Sequence, residues 1–274
     1  MKLFYVGIIG YGKMGKIYAD EIKKNRGYKI IDIFNYNKLG NKPHLVKKFF
    51  YSKKTNLLVI SSPINTHFKY LKYAYKSEKN IIVEKPLVEN SYQLKKLLQL
   101  NKNFKKKIMI HHNDVLNLEK LKFLKKNNIN KLKKIEMFYG TKNMKNSYKK
   151  PLLDWLPHPL AVIVKFFNKR LQFKILEYST QIKKNLIYIK IILFFKSNNI
   201  PIFVNFSNDL NKATKKIIFY TKNKQFIYDG YMNKNKRTIK LLLEKFCKYK
   251  IINDLDLNFR VYKFLFQINS KLSR

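Results

Sequence analysis

From Leu3 to Ile9 the chain is apolar almost without a break, and after a glycine cluster Met14, Ile17, Tyr18 and Ile22 recur at three- and four-residue spacing. The first pattern predicts a strand buried on both faces and the second a helix with one apolar face, so the chain opens as strand, turn, helix. Apolar runs bounded by turn residues predict further strands over 29–34, 57–60, 81–83 and 107–111. Helical spacing predicts helices over 66–76 and 91–100, the second with Ser91 as its N-cap. Strands that alternate with helices in this way imply a parallel, doubly wound sheet.

After residue 112 the pattern changes. A short helix over 116–126, a strand over 132–139, a polar loop to Lys150 and a helix over 157–167 precede five strand-like runs at 171–181, 186–196, 200–206, 215–220 and 225–228. Consecutive strands joined by short turns predict an antiparallel sheet. Helices over 238–249 and 257–272 end the chain. The expected fold class is α/β: a dinucleotide-binding Rossmann domain over 1–112, then an α+β domain over 113–274 with a mainly antiparallel open sheet for substrate and oligomer contacts.

With 274 residues and 46% apolar content the chain has enough material for two packed cores. A formal charge of +43 points at first to nucleic acid or an anionic membrane. Yet Lys supplies 54 of the 59 basic residues and Arg five, spread from Lys2 to Lys271, whereas phosphate and base recognition favour the guanidinium fork. With only four Ala and eight Gly, the composition reads as drift toward one codon class, and the charge as a solvated surface. Such a surface favours non-specific polyanion adhesion and anionic substrates, not a specific nucleic-acid partner. Most of the aromatic residues fall at core positions and not on a stacking face. Cys247 is the sole cysteine, which excludes an intrachain disulfide and a thiolate zinc cluster.

The opening MKLFYVGIIG has no room for a secretory signal, so a cytoplasmic protein is expected. The apolar run from Leu186 to Phe195 is about half the length of a membrane span and contains Lys190. His111 and His112 are adjacent, so on a strand they face opposite sides and cannot share a metal; no metal site is expected. His44 has no identifiable partner.

Gly10-Tyr11-Gly12-Lys13-Met14-Gly15 places a G-x-G-x-x-G between the first strand and the first helix. Gly10 permits the tight turn, Gly12 lets the backbone approach a pyrophosphate, and Gly15 lets the helix pack on the strand, with the phosphate at the helix N-terminus. A carboxylate after the second strand would select NAD, but Asn35 stands there, followed by Tyr36, Asn37 and Lys38, while Asp32 lies one alternation too early. The expected cofactor is NADP or NAD, without a strong preference for NAD.

Ser61-Ser62-Pro63-Ile64-Asn65-Thr66-His67 follows the third strand and Glu84-Lys85-Pro86 the fourth, at the strand ends where open α/β sheets place ligands. Together with the glycine turn, these segments resemble the glucose-fructose oxidoreductase and inositol dehydrogenase family (Gfo/Idh/MocA), closely over 3–112 and loosely beyond. The resemblance implies that Ser61, Ser62, Pro63, Asn65 and His67 line the cofactor cleft, that Glu84 and Lys85 lie beside the nicotinamide, and that the peptide before Pro86 can be cis. It also matches Asp154-Trp155-Leu156-Pro157-His158 to the family's Asp-x-x-x-His pair. Ala161 stands where the family often has an acid, and no Arg occurs near Asn113 and Asp114, which puts the substrate's identity in question more than the reaction.

Oxidising an alcohol by hydride transfer needs a group that takes the hydroxyl proton, and Lys85 and His158 are the candidates. Pro157 suits the first turn of a helix, whose positive end would keep the His158 ring neutral and available as a base, with Asp154 orienting it. Without the resemblance, the same pair reads as an exposed capping Asp and a surface His. The expected activity is hydride transfer between a nicotinamide and a hydroxyl-bearing carbon of a sugar, cyclitol or sugar nucleotide, in a homodimer or homotetramer. Alternatives are reduction of a non-sugar carbonyl or imine, and a cofactor-binding regulator or basic nucleic-acid-binding protein without chemistry.

Overall fold

The computed structural model describes residues 3–35, 42–119, 131–140, 151–166, 173–183, 186–195, 200–207, 213–231, 235–249 and 254–272. The strands β1 (Phe4–Ile9), β2 (Tyr28–Phe34), β3 (Leu57–Ile60), β4 (Asn80–Glu84) and β5 (Ile108–His111) form one parallel sheet in the order β2-β1-β3-β4-β5. Between them run α1 (Lys13–Lys23), α2 (Pro43–Tyr51), α3 (Ile64–Lys76) and α4 (Ser91–Asn101). Every residue of β3, and Ile81 to Val83 of β4, is fully buried, which is why these strands read as unbroken apolar runs and not as alternations. The order reverses between β1 and β3, so the chain leaves their carboxyl ends toward opposite sides of the sheet and opens a crevice there.

Three details depart from the expected elements. Helix α2 was absent from the expected pattern, although Pro43 at its start and the buried Val46, Phe49 and Phe50 are the residues such a helix needs. The N-cap of α4 is Asn90, whose side chain accepts from the Gln93 amide, one residue before the expected Ser91. Strand β2 bulges: Val6 pairs with Ile30 but Gly7 with Asp32, so Ile31 is extra. The segment holding Tyr36, Asn37 and Lys38 lies outside the described residues.

The chain forms two compact units, Met1–His112 with Asn235–Phe259, and Asn113–Lys234 with Arg260–Arg274. Where the second domain was expected to run unbroken from 113 to 274, the helix α8 (Asn235–Lys248) packs with the first unit. It buries Ile239, Leu242, Leu243 and Phe246, sets the Phe246 ring edge-on to Phe4, and accepts at the Leu243 carbonyl from the Tyr28 hydroxyl at 2.6 Å. The amphipathic face of α8 thus covers apolar surface that the parallel sheet would otherwise expose.

In the second unit β6 (Leu132–Gly140), β7 (Phe173–Lys183), β8 (Leu186–Phe195), β9 (Ile200–Ser207), β10 (Thr214–Thr221) and β11 (Gln225–Asp229) form a sheet in the order β11-β10-β6-β9-β8-β7. It is antiparallel except where β6 meets β9, a parallel pair at its centre. The sheet is mainly antiparallel, as expected; its parallel pair arises because β6 and β9 are not consecutive, β7 and β8 intervening between them in the chain. Helices α5 (Asn113–Leu118), α6 (Pro151–Trp155) and α7 (Pro157–Phe166) precede β7, and α9 (Leu255–Leu272) ends the described chain. Helix α5 begins three residues before its expected start, and 120–130 and the polar loop over 141–150 lie outside the described residues. Among the described residues no helix is long and apolar enough to cross a membrane.

Candidate functional site

The glycine turn between β1 and α1 is built as its spacing demands. Gly10 sits at φ +89°, and a Cβ there would come within 2.5 Å of the Ser62 backbone. A Cβ on Gly15 would lie 2.0 Å from the Gly10 carbonyl oxygen, so only glycine lets α1 close on the turn. Gly12 differs: a Cβ there meets nothing within 4 Å, and no fold contact requires a glycine. Gly12 caps α1 without a side-chain bond, no acid occupies the first turn, and Gly12 and Lys13 are exposed. The helix therefore presents its first amides outward at the sheet's crevice, the arrangement that receives a phosphate. Tyr11 and Met14 are half-buried beside it, and Asn35 follows β2 at the same end of the sheet.

The turns after β3 and β4 are braced to this one and to each other. Ser61 donates its hydroxyl to the Gly10 carbonyl at 2.8 Å, and the Ser62 and Thr66 hydroxyls lie 2.7 Å apart at the start of α3. Pro63 and Asn65 are exposed. His67, expected to line a cofactor cleft, is instead buried, with Nε2 at 2.7 Å from the Ser62 carbonyl and Nδ1 at 2.8 Å from the Pro86 carbonyl. Both partners can only accept, so a protonated ring is needed to make both bonds at once. Burial pushes the ring's pKa below its ordinary value, against the pull of the two carbonyls. Its role is a strut between the two loops, and the Lys85-Pro86 peptide that it supports is cis.

Glu84 points into the first unit. Its Oε1 accepts from the Tyr18 hydroxyl at 3.0 Å and lies 2.6 Å from His111 Nδ1, while His111 Nε2 lies 3.2 Å from the Thr238 hydroxyl of α8. Burial raises the Glu84 carboxyl, but His111, Tyr18 and Lys85 outweigh it and hold the group below the usual carboxylate range. The Tyr18 phenol is pushed well up, by burial first and then by Glu84, so it stays a donor. Lys85, next in the chain, is half-buried. His112 faces away from this net and bonds Asn258 Oδ1 at 2.7 Å, so the two histidines serve separate partners. His44 is exposed.

The second unit holds a second buried carboxylate that sequence reasoning did not single out. Asp114 on α5 is 1% exposed. Its Oδ1 lies 3.0 Å from Lys215 Nζ and accepts from the Tyr228 hydroxyl at 2.8 Å, and its Oδ2 accepts from the Tyr139 hydroxyl at 3.2 Å. His158 on α7 is buried, with Nδ1 3.5 Å from Asp114 Oδ2 and its ring stacked on Tyr139. Burial, then the Asp114 charge, push both phenols far above the tyrosine range, so both remain donors. Asp154, expected to orient His158, is exposed on α6, and the carboxylate beside the ring is Asp114. Nothing in the sequence marks this set: its members lie on α5, β6, α7, β10 and β11, and only the fold gathers them. Ala161 is fully buried on α7.

Residues 4–112 match the model of the Gfo/Idh/MocA oxidoreductase family, described as an NAD-binding Rossmann fold. That segment belongs to this family. Over that segment the chain therefore carries a domain described as NAD-binding in an oxidoreductase family, and the glycine turn at its crevice lies within it. Solved structures extend the likeness over the whole chain. The dehydrogenase MviM from Clostridium difficile has a TM-score of 0.80 at 14% identity, covering 98% of this chain and 100% of that one. The UDP-N-acetylglucosamine 3-dehydrogenase GnnA from Acidithiobacillus ferrooxidans has a TM-score of 0.79 at 12% identity, covering 98% of each chain. A biliverdin reductase from Synechocystis sp. PCC 6803, solved with biliverdin and NADP+, has a TM-score of 0.71 at 12% identity, covering 97% of this chain and 98% of that one. Such identities carry the fold of both units and no substrate. No curated protein matches the chain by sequence.

Proposed function

We propose that the chain is a nicotinamide-dependent dehydrogenase acting on a hydroxyl-bearing carbon of a sugar, cyclitol or sugar nucleotide. The reading is carried by the glycine turn, where Gly12 is needed by no contact of the fold while α1 opens its amides to the crevice of a Gfo/Idh/MocA domain. Bound there, the nicotinamide supplies the exchange of hydride. The chain does the rest. Gly12 and the first turn of α1 hold the pyrophosphate, Ser62, Pro63 and Asn65 line its path, and the Glu84-Lys85-Pro86 turn lies beside the reactive ring. Lys85 in the first unit and His158 in the second are the two candidates for the group that takes the substrate's proton.

Asn35 after β2 leaves no carboxylate for the adenosine ribose, so the site has no strong preference for NAD over NADP. A second reading, with a non-sugar substrate, draws on the biliverdin reductase of the same fold. Calorimetry with NAD and NADP tests the cofactor site, followed by a turnover screen of sugar nucleotides, cyclitols and biliverdin. Both cofactors are expected to bind, with NAD favoured by no more than roughly tenfold, or about 1.4 kcal/mol. Absence of binding by either would overturn the site; turnover of biliverdin alone would overturn the sugar assignment.

A further inference from the structure

A carboxylate from outside its own motif faces the His158 ring. The acid four residues before it, Asp154, is exposed, and the carboxylate that faces its Nδ1 comes from α5, forty-four residues before it in the chain. We propose that Asp114 is the positioning residue for His158, and that Lys215 sets how much negative charge Asp114 presents to the ring. The first half follows from the contact at 3.5 Å, an ion-pair distance within a fully buried cluster, and from the stacking of the ring on Tyr139, which itself donates to Asp114. The contact is electrostatic and not a hydrogen bond, and the carboxylate's charge favours a proton on Nδ1 over one on Nε2.

The second half follows from the competition for Asp114. Lys215 and Tyr228 share Oδ1, and Asn117 donates in turn to the Tyr228 hydroxyl at 3.2 Å. The approach of Lys215 is built in: a Cβ on Gly230 would lie 2.7 Å from Lys215 Cδ and 3.2 Å from Asp114 Oδ1, and the Gly230 amide donates to the Lys215 carbonyl. Only glycine at 230 leaves room for the lysine stem. Among the described residues, other charged groups of the packed elements engage elsewhere: Lys134 of β6 pairs with Glu136 at 2.6 Å, and Glu136 also accepts from the Tyr220 hydroxyl of β10. Lys165 of α7 pairs with Glu119 just beyond α5 at 3.1 Å, Asp154 of α6 is exposed, and Tyr231 after β11 is pushed up by burial and then by Asp114, Asp229 and Asp154. The ring therefore faces a carboxylate already balanced by a lysine and two phenols, which suits a base that must be neutral before it accepts a proton.

Two substitutions then move the His158 ring in opposite directions, which loss of packing alone would not do. Asp114→Asn removes the anion and leaves Lys215, so the ring's titration midpoint falls by about one pH unit or more. Lys215→Met leaves the anion unbalanced, so the midpoint rises by a comparable amount. Tyr228→Phe raises it less, and Gly230→Ala, which displaces Lys215, raises it as Lys215→Met does. The experiment is a histidine NMR titration of the full chain, with His158→Gln identifying the resonance. Shifts of the same sign in Asp114→Asn and Lys215→Met, or no shift in either, overturn the proposal. If Asp114→Asn does not fold, a fall or no change in both Lys215→Met and Tyr228→Phe overturns it equally. The term positioning rests on His158 being the proton acceptor, but the titration needs neither substrate nor cofactor. Unchanged turnover on removal of His158 would end the general-base reading and leave this charge balance standing.

Discussion

Each unit buries a carboxylate among hydroxyls and a basic side chain, Glu84 in the first and Asp114 in the second, and the two differ in which basic group holds it. Glu84 is held by an imidazole, a group that can give up its proton and remain buried as a neutral hydrogen-bonding ring. Asp114 is held by Lys215, an ammonium donor with no ring through which a proton can be exchanged in place. Glu84 also begins the Glu84-Lys85-Pro86 turn, so its net of Tyr18, His111 and Thr238 fixes the backbone that presents Lys85. Asp114 lies against His158 itself. One carboxylate therefore acts through the chain it anchors, the other through the side chain it touches.

The largest expected effect breaks the second net. Asp114→Ala strands the Lys215 charge in a buried site and should lower unfolding free energy by about 3–5 kcal/mol, read from denaturant melts. Adding Lys215→Met removes the stranded charge, so the double variant should recover part of the loss. A double variant no more stable than Asp114→Ala would mean that Lys215 finds other solvation, and the contrast with His111 would lose its basis.

How legible each net was follows from how local its signals are. The strands of the parallel sheet are short apolar runs bounded by turn residues, and the glycine turn is six adjacent residues, so both could be read directly; Glu84 and Lys85 came with a tripeptide at a strand end. The function of Glu84 was still displaced, because the fold turns its side chain toward Tyr18 and His111. Asp114 gave no signal, since its partners Tyr139, Lys215 and Tyr228 are separated from it by 25 to 114 residues and resemble any other tyrosine or lysine in so basic a chain. The spacing of Asp154 and His158 suggested a pair that the break between α6 and α7 separates into an exposed and a buried residue. The return of α8 to the first unit was hidden for a similar reason: periodicity reveals an apolar face but not what it covers.

The next effect sharpens the comparison at the chemistry. His158→Ala removes the proposed proton acceptor and touches no cofactor contact, so turnover should fall by about a hundredfold while cofactor affinity measured by calorimetry stays as it was. Lys85→Ala should reduce turnover similarly and weaken cofactor binding as well if the Glu84-Lys85-Pro86 turn lies beside the nicotinamide as proposed. Equal loss of cofactor affinity in the two variants would erase the division of labour between the units.

The smallest effect is expected at Glu84, and its dependence on pH carries the argument. The carboxyl is held below its usual range in spite of burial, chiefly by His111, so it contributes stability that is present above the unfolded carboxylate value, about pH 4.3, and is lost as pH falls through the folded value. Glu84→Gln keeps the shape and an oxygen to accept from Tyr18, and its amide can donate to Nδ1 of a neutral His111, so the net can re-form without a stranded charge. The cost should be about 1–2 kcal/mol at neutral pH and should shrink on acidification below about pH 4, where the native carboxyl also loses its charge. Chemical denaturation of both proteins from neutral to acid pH reads the difference. A loss at neutral pH as large as that of Asp114→Ala would show that the first net cannot re-form around the amide, and the two carboxylates would then be held in the same way.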